Sequence, residues 1–270
     1  MTVQETINKI CDAICGGYHI KPTCDVLAAG DPDMEVTGIV TTFLPSVEVI
    51  RKTIEIGANF IISHEPTWFN GNDVTDWCEN DSVYLTKKKL LDDNGIAVWR
   101  FHDHMHFGTG VDYIYKGILD EMDWHKYLQP DEQAPWVYEI PETTLKELSL
   151  WLKELFEMEH IRVVGKPDCK VKRVGILVGG GSLGLGREVM PMEVMERNNL
   201  NVLICGDITE WTTVEYINDA QQLGMDRAMI HLGHERTEEP GMKHLPKLLK
   251  RYVHGVPITF ISAGEPYTYF

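Results

Sequence analysis

Histidines and carboxylates gather at three places in this 270-residue chain, and each place is the end of an apolar run. His64 closes NFIISH and is followed by Glu65-Pro66. His102, His104 and His106 follow GIAVWRF, while His231 and His234 follow MDRAMI, with Glu235 and Glu238 just behind. Imidazole nitrogen with carboxylate oxygen suits Zn, Fe, Mn, Co or Ni better than Ca or Mg. More than four candidate donors point to two divalent transition-metal ions bridged by shared groups, an arrangement that activates water for hydrolysis. The spacing supports chelation whichever way the local chain folds. As a strand, 102–106 would put all three histidines on one face; as a helix, His102 and His106 would still share one, as would His234 and Glu238. A strand-end histidine alone is more often a hydrogen-bonded structural residue, and GHERTEE read alone is a solvated, acidic helix start. Three such segments together favour metal over three coincidences. His19, His125, His160, His244 and His254 lack this setting.

Such a site needs elements that converge, and in parallel α/β sheets the carboxyl ends of the strands meet at one crevice. The chain reads that way. MTVQETINKICDAICGG is an amphipathic helix with Val3, Ile7, Ile10 and Ile14 on one face, ending near Gly16-Gly17. A strand over 36–43, a helix from Ser46 through Ile56, a strand over 59–64, a helix over 81–94 and a strand over 95–102 follow. Residues 126–142 contain prolines and read as a linker. The rhythm then restarts. Thr143 or Thr144 opens a helix to Met158, strands follow at HIRVVG and VKRVGILVG, and a helix lies near 187–198. A strand over 201–207, a helix over 210–223, a strand over 225–233, a helix over 241–253 and a strand over 256–263 complete the chain. The expected fold is α/β: two packed domains with parallel or mixed sheets covered by helices, and the metal site in the cleft between them. Residues 1–125 with about 228–270 would form the metal-binding domain, and 126–227 the second.

Composition narrows the partners. Hydrophobic residues make up 43% and charged residues 24%, normal for a globular core. The formal net charge of −16 opposes binding to duplex nucleic acid, whose affinity comes largely from neutralising phosphates. No run approaches ~20 apolar residues, so no membrane span is expected, and the acidic N-terminal helix does not read as a secretion signal. The six cysteines, at 11, 15, 24, 78, 169 and 205, form no CxxC pair and are expected to be reduced, which suits a cytoplasmic protein.

Three segments resemble a known family. IISHEPTWFNG resembles the His-His-Pro segment of the NGG-interacting-factor-three-like proteins, also called GTP cyclohydrolase I type 2 homologues. RFHDHMHFGTGVD resembles their His-Thr-x-x-Asp segment, and HLGHERTEE their Gly-His-x-x-x-Glu segment. VIRKTIEIGANFIISH, the VGGGSLG loop and CGD at 205–207 match as well, in the same order along nearly the whole chain. The resemblance implies a two-domain α/β fold, a dinuclear metal site between the domains and a ring-shaped homohexamer, here without the family's bulky inserted domain. It implies His64, His102, His234 and Glu238 as ligands. Two positions depart: Glu65 stands for the second histidine of His-His-Pro, and His106 for the usual aspartate. Either Glu65 supplies the missing carboxylate, or one of the two metal sites is weakened. Trp211 replaces the histidine that follows the family's Gly-Asp segment.

The run VGILVGGGSLGLG contains Gly179-x-Gly181-x-x-Gly184 after a strand. It has the outline of a dinucleotide-binding turn, but also of a plain tight turn that needs glycine. The preferred reading is a backbone-lined loop, Gly179, Gly180, Gly181 and Ser182, that cradles a phosphate of a nucleotide-like substrate. Three functional classes result, of which a nucleotide-binding oxidoreductase rests on the glycine loop alone. One is a metal-dependent hydrolase acting on a small molecule, with Glu65 or Glu238 as proton shuttle. Another is a metal-binding regulatory or scaffold protein without turnover.

Overall fold

In the computed structural model, which describes residues 1–17, 19–108, 110–130 and 136–270, the N-terminal apolar stripe becomes helix α1 (Val3–Cys15). Thr2 caps it in a reciprocal box with Glu5, and Gly16 ends it in the left-handed conformation. Strands β1 (Leu27–Ala29) and β2 (Ile39–Thr42) follow, then α2 (Val47–Glu55), whose cap is the expected Ser46. Next come β3 (Phe60–Ser63), α3 (Ser82–Asp93), β4 (Ala97–Arg100), the short α4 (Asp103–Phe107) and α5 (Tyr113–Met122). β2, β3 and β4 are parallel, and β1 lies antiparallel on the edge beside β4. Phe60, Ile61 and Ile62 of β3 are fully buried, as are Ala97 and Val98 of β4. Each large apolar side chain so buried contributes about 1.5–3 kcal/mol, which is why these strands read as continuous apolar runs.

The second half builds its own sheet from β5 (Val137–Thr144), α6 (Leu145–Leu155), β6 (Arg162–Val164), β7 (Lys170–Leu177), α7 (Met190–Arg197), β8 (Val202–Cys205), α8 (Glu215–Gln222), β9 (Ala228–His231) and α9 (His234–Leu249). The strand order is β5-β7-β8-β9-β6, with β7, β8 and β9 parallel and the two edges antiparallel. Its core gathers Leu177, Val194, Met195, Leu203, Ile217 and Met229. Thr144, not Thr143, caps α6, in a box with Glu147. Finally β10 (Ile258–Phe260) pairs in parallel with β2 and completes the first sheet, in order β1-β4-β3-β2-β10. The architecture is α/β, with two mixed sheets and helices on them.

Contacts divide the described residues into two units, Met1–Gly117 with Glu239–Pro266, and Ile118–Glu238 with Tyr267–Phe270. The return to the first unit thus comes at Glu239, not near 228, because β9 is hydrogen-bonded between β8 and β6. The expected linker over 126–142 is also corrected: most of β5 lies there, and residues 131–135 fall outside the described ones. Pro141 is tolerated because β5 is an edge strand whose register shifts between Glu139 and Thr143. α9 starts seven residues earlier than expected and runs through Pro240. No helix among the described residues is long and apolar enough to cross a membrane.

Candidate metal centre

In the first unit the parallel register Ser63↔Arg100 aligns the carboxyl ends of β3 and β4, so His64 and His102 leave adjacent strands side by side. The chain then turns into α4 and brings His106 one helical turn on from His102. The three rings meet. His64 and His102 stack at 4.5 Å between centroids, His64 lies 5.1 Å from His106, and His102 lies 5.0 Å from His106. One ring nitrogen from each can be chosen so that all lie within 4.8 Å of one another.

Each ring is oriented through Nδ1. His64 Nδ1–H donates to the Phe101 carbonyl at 3.4 Å, His102 Nδ1–H to Asp103 Oδ1 at 3.1 Å, and His106 Nδ1–H to Asp112 Oδ2 at 2.9 Å. These contacts fix the tautomer that carries its lone pair on Nε2, the usual outer-shell arrangement of metal-binding histidines. Asp112 does double duty, since its other oxygen accepts from Ile114 N and Tyr115 N at the start of α5. The hydrogen bond from His102 holds the Asp103 carboxyl well below the usual carboxylate range, against the upward push of burial.

Glu65 sits beside this set. Its Oε1 is 3.6 Å from His102 Nε2, and its Oε2 is 3.3 Å from Arg100 Nη2. Arg100 is buried and also donates to the carbonyls of His64 and Gly71. Cys24, His102 and Asp103 form another close group. There the Cys24 thiol donates to Asp103 Oδ1 at 3.4 Å, and burial pushes it up to about 12, so it is a protonated hydrogen-bond donor. His104 is not a ligand candidate. Its Nδ1–H donates to Asp25 Oδ2 at 2.6 Å and its Nε2 accepts from Ile20 N at 3.0 Å, so both ring nitrogens are occupied within the fold.

In the second unit β9 ends at His231, and α9 opens with His234. The expectation that all three histidine segments leave one sheet is therefore corrected, since β9 belongs to the second. His234 Nδ1 lies 2.9 Å from Asp207 Oδ2, just past the end of β8, and its Nε2 lies 2.9 Å from Glu238 Oε2 one turn along α9. A neutral imidazole donates only once. With Nδ1–H on Asp207, a proton or a cation must sit between Nε2 and the Glu238 carboxylate. That is donor chemistry suited to a metal ion. His231 stays neutral: burial, with Arg162 nearby, pushes it down to about 4.

The glycine loop packs on this pair. A Cβ on Gly179, whose φ is +46°, would lie 1.8 Å from Glu238 Oε1 and 2.6 Å from His234 Nε2. Three polar groups of the expected phosphate cradle are bonded within the fold. Gly179 N donates to Thr237 Oγ1, Gly181 N to the Val178 carbonyl, and the Ser182 hydroxyl lies against the carbonyls of Gly179 and Asp207. The dinucleotide outline fails, since α7 begins only at Met190, six residues beyond Gly184. Position 179 needs glycine so that backbone can approach His234 and Glu238.

Sequence reasoning missed Asp25, Arg100, Asp103 and Asp112, which orient the ring or carboxylate groups. Of these, Asp112 carried a legible signal, an Asp directly before the helical run Tyr113–Met122.

The sequence profile of the Duf34/NIF3 (NGG1p interacting factor 3) family matches residues 24–266. A relative from Clostridium acetobutylicum, named GTP cyclohydrolase 1 type 2 homolog, is 26% identical over 246 residues, 86% of this chain and 83% of the relative. A solved structure of a hypothetical protein from Staphylococcus aureus matches with a TM-score of 0.74 at 20% identity, covering 100% of this chain and 99% of that one. The Bacillus cereus protein related to NIF3 matches with 0.74 at 16% identity, over the same shares of 100% and 99%. At such identities the structural likeness speaks for the fold alone.

Proposed function

Because the chain belongs to the Duf34/NIF3 (NGG1p interacting factor 3) family, we propose that it is a metal-dependent hydrolase acting on a nucleotide-like small molecule. Relatives named GTP cyclohydrolase 1 type 2 homolog support ring opening of a GTP-like nucleotide as the reaction class. The observation that carries the metal reading is the triad of His64, His102 and His106, each with Nδ1 on an acceptor and all within reach of one ion. Imidazole donors of this kind suit Zn, Fe, Mn, Co or Ni. When bound, a divalent ion supplies Lewis acidity and makes water a usable nucleophile near neutral pH.

The chain's own residues divide the remaining work. The three histidines hold the ion, and the Phe101 carbonyl, Asp103 and Asp112 keep their rings in place. Arg100 holds one oxygen of Glu65, and the other lies 3.6 Å from His102 Nε2, a position suited to proton transfer beside the triad. In the second unit Glu238 is positioned by His234 for ligation or proton transfer. A count of two ions per chain would call on Glu65, His234 and Glu238 as further ligands. We place the protein in the cytoplasm as a homohexamer, as the family resemblance implies, with light scattering on the purified chain as the check.

Elemental analysis of purified protein is expected to find bound transition metal in the wild type and its loss in His64→Ala and His106→Ala. Metal-loaded protein is expected to hydrolyse GTP or a related nucleotide. Protein that holds metal yet leaves GTP and a panel of phosphoesters untouched would sink the hydrolase reading. It would favour the second reading, a metal-binding regulatory or scaffold protein. That reading is supported by Glu65 and His106, which stand where the family resemblance places histidine and aspartate.

A further inference from the structure

Helix α4 carries two of the three triad imidazoles, at its cap and in its last turn, yet it is only five residues long. A helix that short does not hold itself, because nucleation is unfavourable and its first N–H groups have no partner within the helix. One carboxylate supplies what is missing. Asp25 Oδ1 accepts from His102 N at 2.8 Å and Asp103 N at 2.7 Å. Asp25 Oδ2 accepts from His104 N at 3.1 Å and from His104 Nδ1 at 2.6 Å.

The grip is returned from the helix. Asp103 Oδ2 accepts from the Thr23 hydroxyl at 2.8 Å and from Cys24 N at 2.9 Å, while its Oδ1 faces His102 Nδ1. His104 Nε2 accepts from Ile20 N at 3.0 Å. Residues 20–25 are thus a strap, some 80 residues away in sequence, whose side chains and N–H groups hold the peptide planes of 102–104.

We propose that Asp25 is a positioning residue for the metal centre: it sets α4 so that His102 and His106 meet His64 before any ion arrives. The inference rests on the metal reading above and adds a residue that does not touch the ion. Both Asp25 oxygens are committed to N–H donors, and its side chain is buried. Its effect is therefore on preorganisation, the kind of outer-shell contribution whose loss costs roughly 10–100-fold in metal affinity.

The experiment is Co(II) titration of the full chain followed by its visible absorption. Asp25→Asn turns an NH2 group toward backbone N–H donors, and is expected to weaken Co(II) binding about 10–100-fold and to shift the absorption bands. Two controls separate positioning from general stability. Ser46→Ala removes the cap of α2, where Ser46 Oγ accepts from Val49 N at 3.2 Å, and is expected to lower the melting temperature without changing Co(II) affinity. Thr144→Ala removes the cap of α6, where Thr144 Oγ1 accepts from Glu147 N at 3.2 Å, and is expected likewise to lower the melting temperature and leave Co(II) affinity unchanged. If Asp25→Asn does not fold, Thr23→Val is the test, because it removes the hydroxyl that donates to Asp103 and accepts from Asp25 N at 3.0 Å; a several-fold loss of affinity is expected. Wild-type affinity in Asp25→Asn, or in Thr23→Val where that variant stands in, overturns the inference alone. So does equal weakening by Ser46→Ala. A wild type that takes up no Co(II) overturns the metal reading, and this inference with it.

Discussion

Gly179→Ala is the sharpest probe of how the second unit seats His234 and Glu238. The substitution has two separable costs. A residue with a side chain at φ +46° bears the left-handed penalty, about 1–2 kcal/mol. Its Cβ would also lie 1.8 Å from Glu238 Oε1, 2.4 Å from Glu238 Cδ and 2.6 Å from His234 Nε2. Glu238 is buried and bonded to His234, so it cannot swing aside without breaking that contact. Overpacking of this kind costs about 1–3 kcal/mol, for a combined loss of about 2–5 kcal/mol. The control is next door: a Cβ on Gly180 would meet nothing within 4 Å, and its φ is not positive. Gly180→Ala should stay within about 0.5 kcal/mol of the wild type. Urea unfolding followed by both tryptophan fluorescence and circular dichroism measures the difference. In a thermal scan the loss should appear as a drop on the order of 5–10 °C. Equal stability of the two variants would refute the packing argument, and with it the account of why residue 179 is glycine.

Other expectations follow from the same geometry. Glu65→Gln should keep bound metal if the triad holds the ion, while lowering any hydrolytic rate at least 100-fold if Glu65 is the proton acceptor; unchanged turnover would remove Glu65 from that role. His231 is held neutral, down to about 4, so the unfolded chain binds its proton more readily. Its contribution should therefore be full above about 6.5 and fade as pH falls toward about 4, and His231→Gln should flatten that part of the stability profile. Lys87 is pushed down to about 8 by burial, with Asp73 acting the other way. The unfolded chain again holds the proton longer, so wild-type stability relative to Lys87→Met should rise between pH 8 and about 10.5. A flat difference across that window would show that the amine is better solvated than its packing under Trp68 and Phe69 implies.

Local chemistry made part of this protein readable. The apolar runs at β3 and β4 are buried on both faces, so they show as unbroken hydrophobic stretches with histidine at the end. Ser46 and Thr144 are side-chain caps acting within three residues of themselves, and such signals survive in sequence. Pro141 and Pro240 misled for the converse reason. Proline is a local breaker, yet an edge strand needs no donor on its open side, and α9 continues past the one hydrogen bond that Pro240 removes. The choice between strand and helix for 102–106 was open for a related cause. The deciding cap, Asp25, lies 77 residues before His102.

The sequence by itself determined the donor types and their placement at strand ends, because composition and hydrophobic period are properties of neighbouring residues. It also carried the family resemblance that His64, His102, His234 and Glu238 share. Tertiary structure alone decided which sheet each of these residues leaves, and that His104 is bonded within the fold at both nitrogens. It alone decided that Gly179 serves close approach and that Asp25 accepts from the first N–H groups of α4. Those outcomes depend on hydrogen bonds and contacts between residues distant in the chain, whose partners no local pattern names.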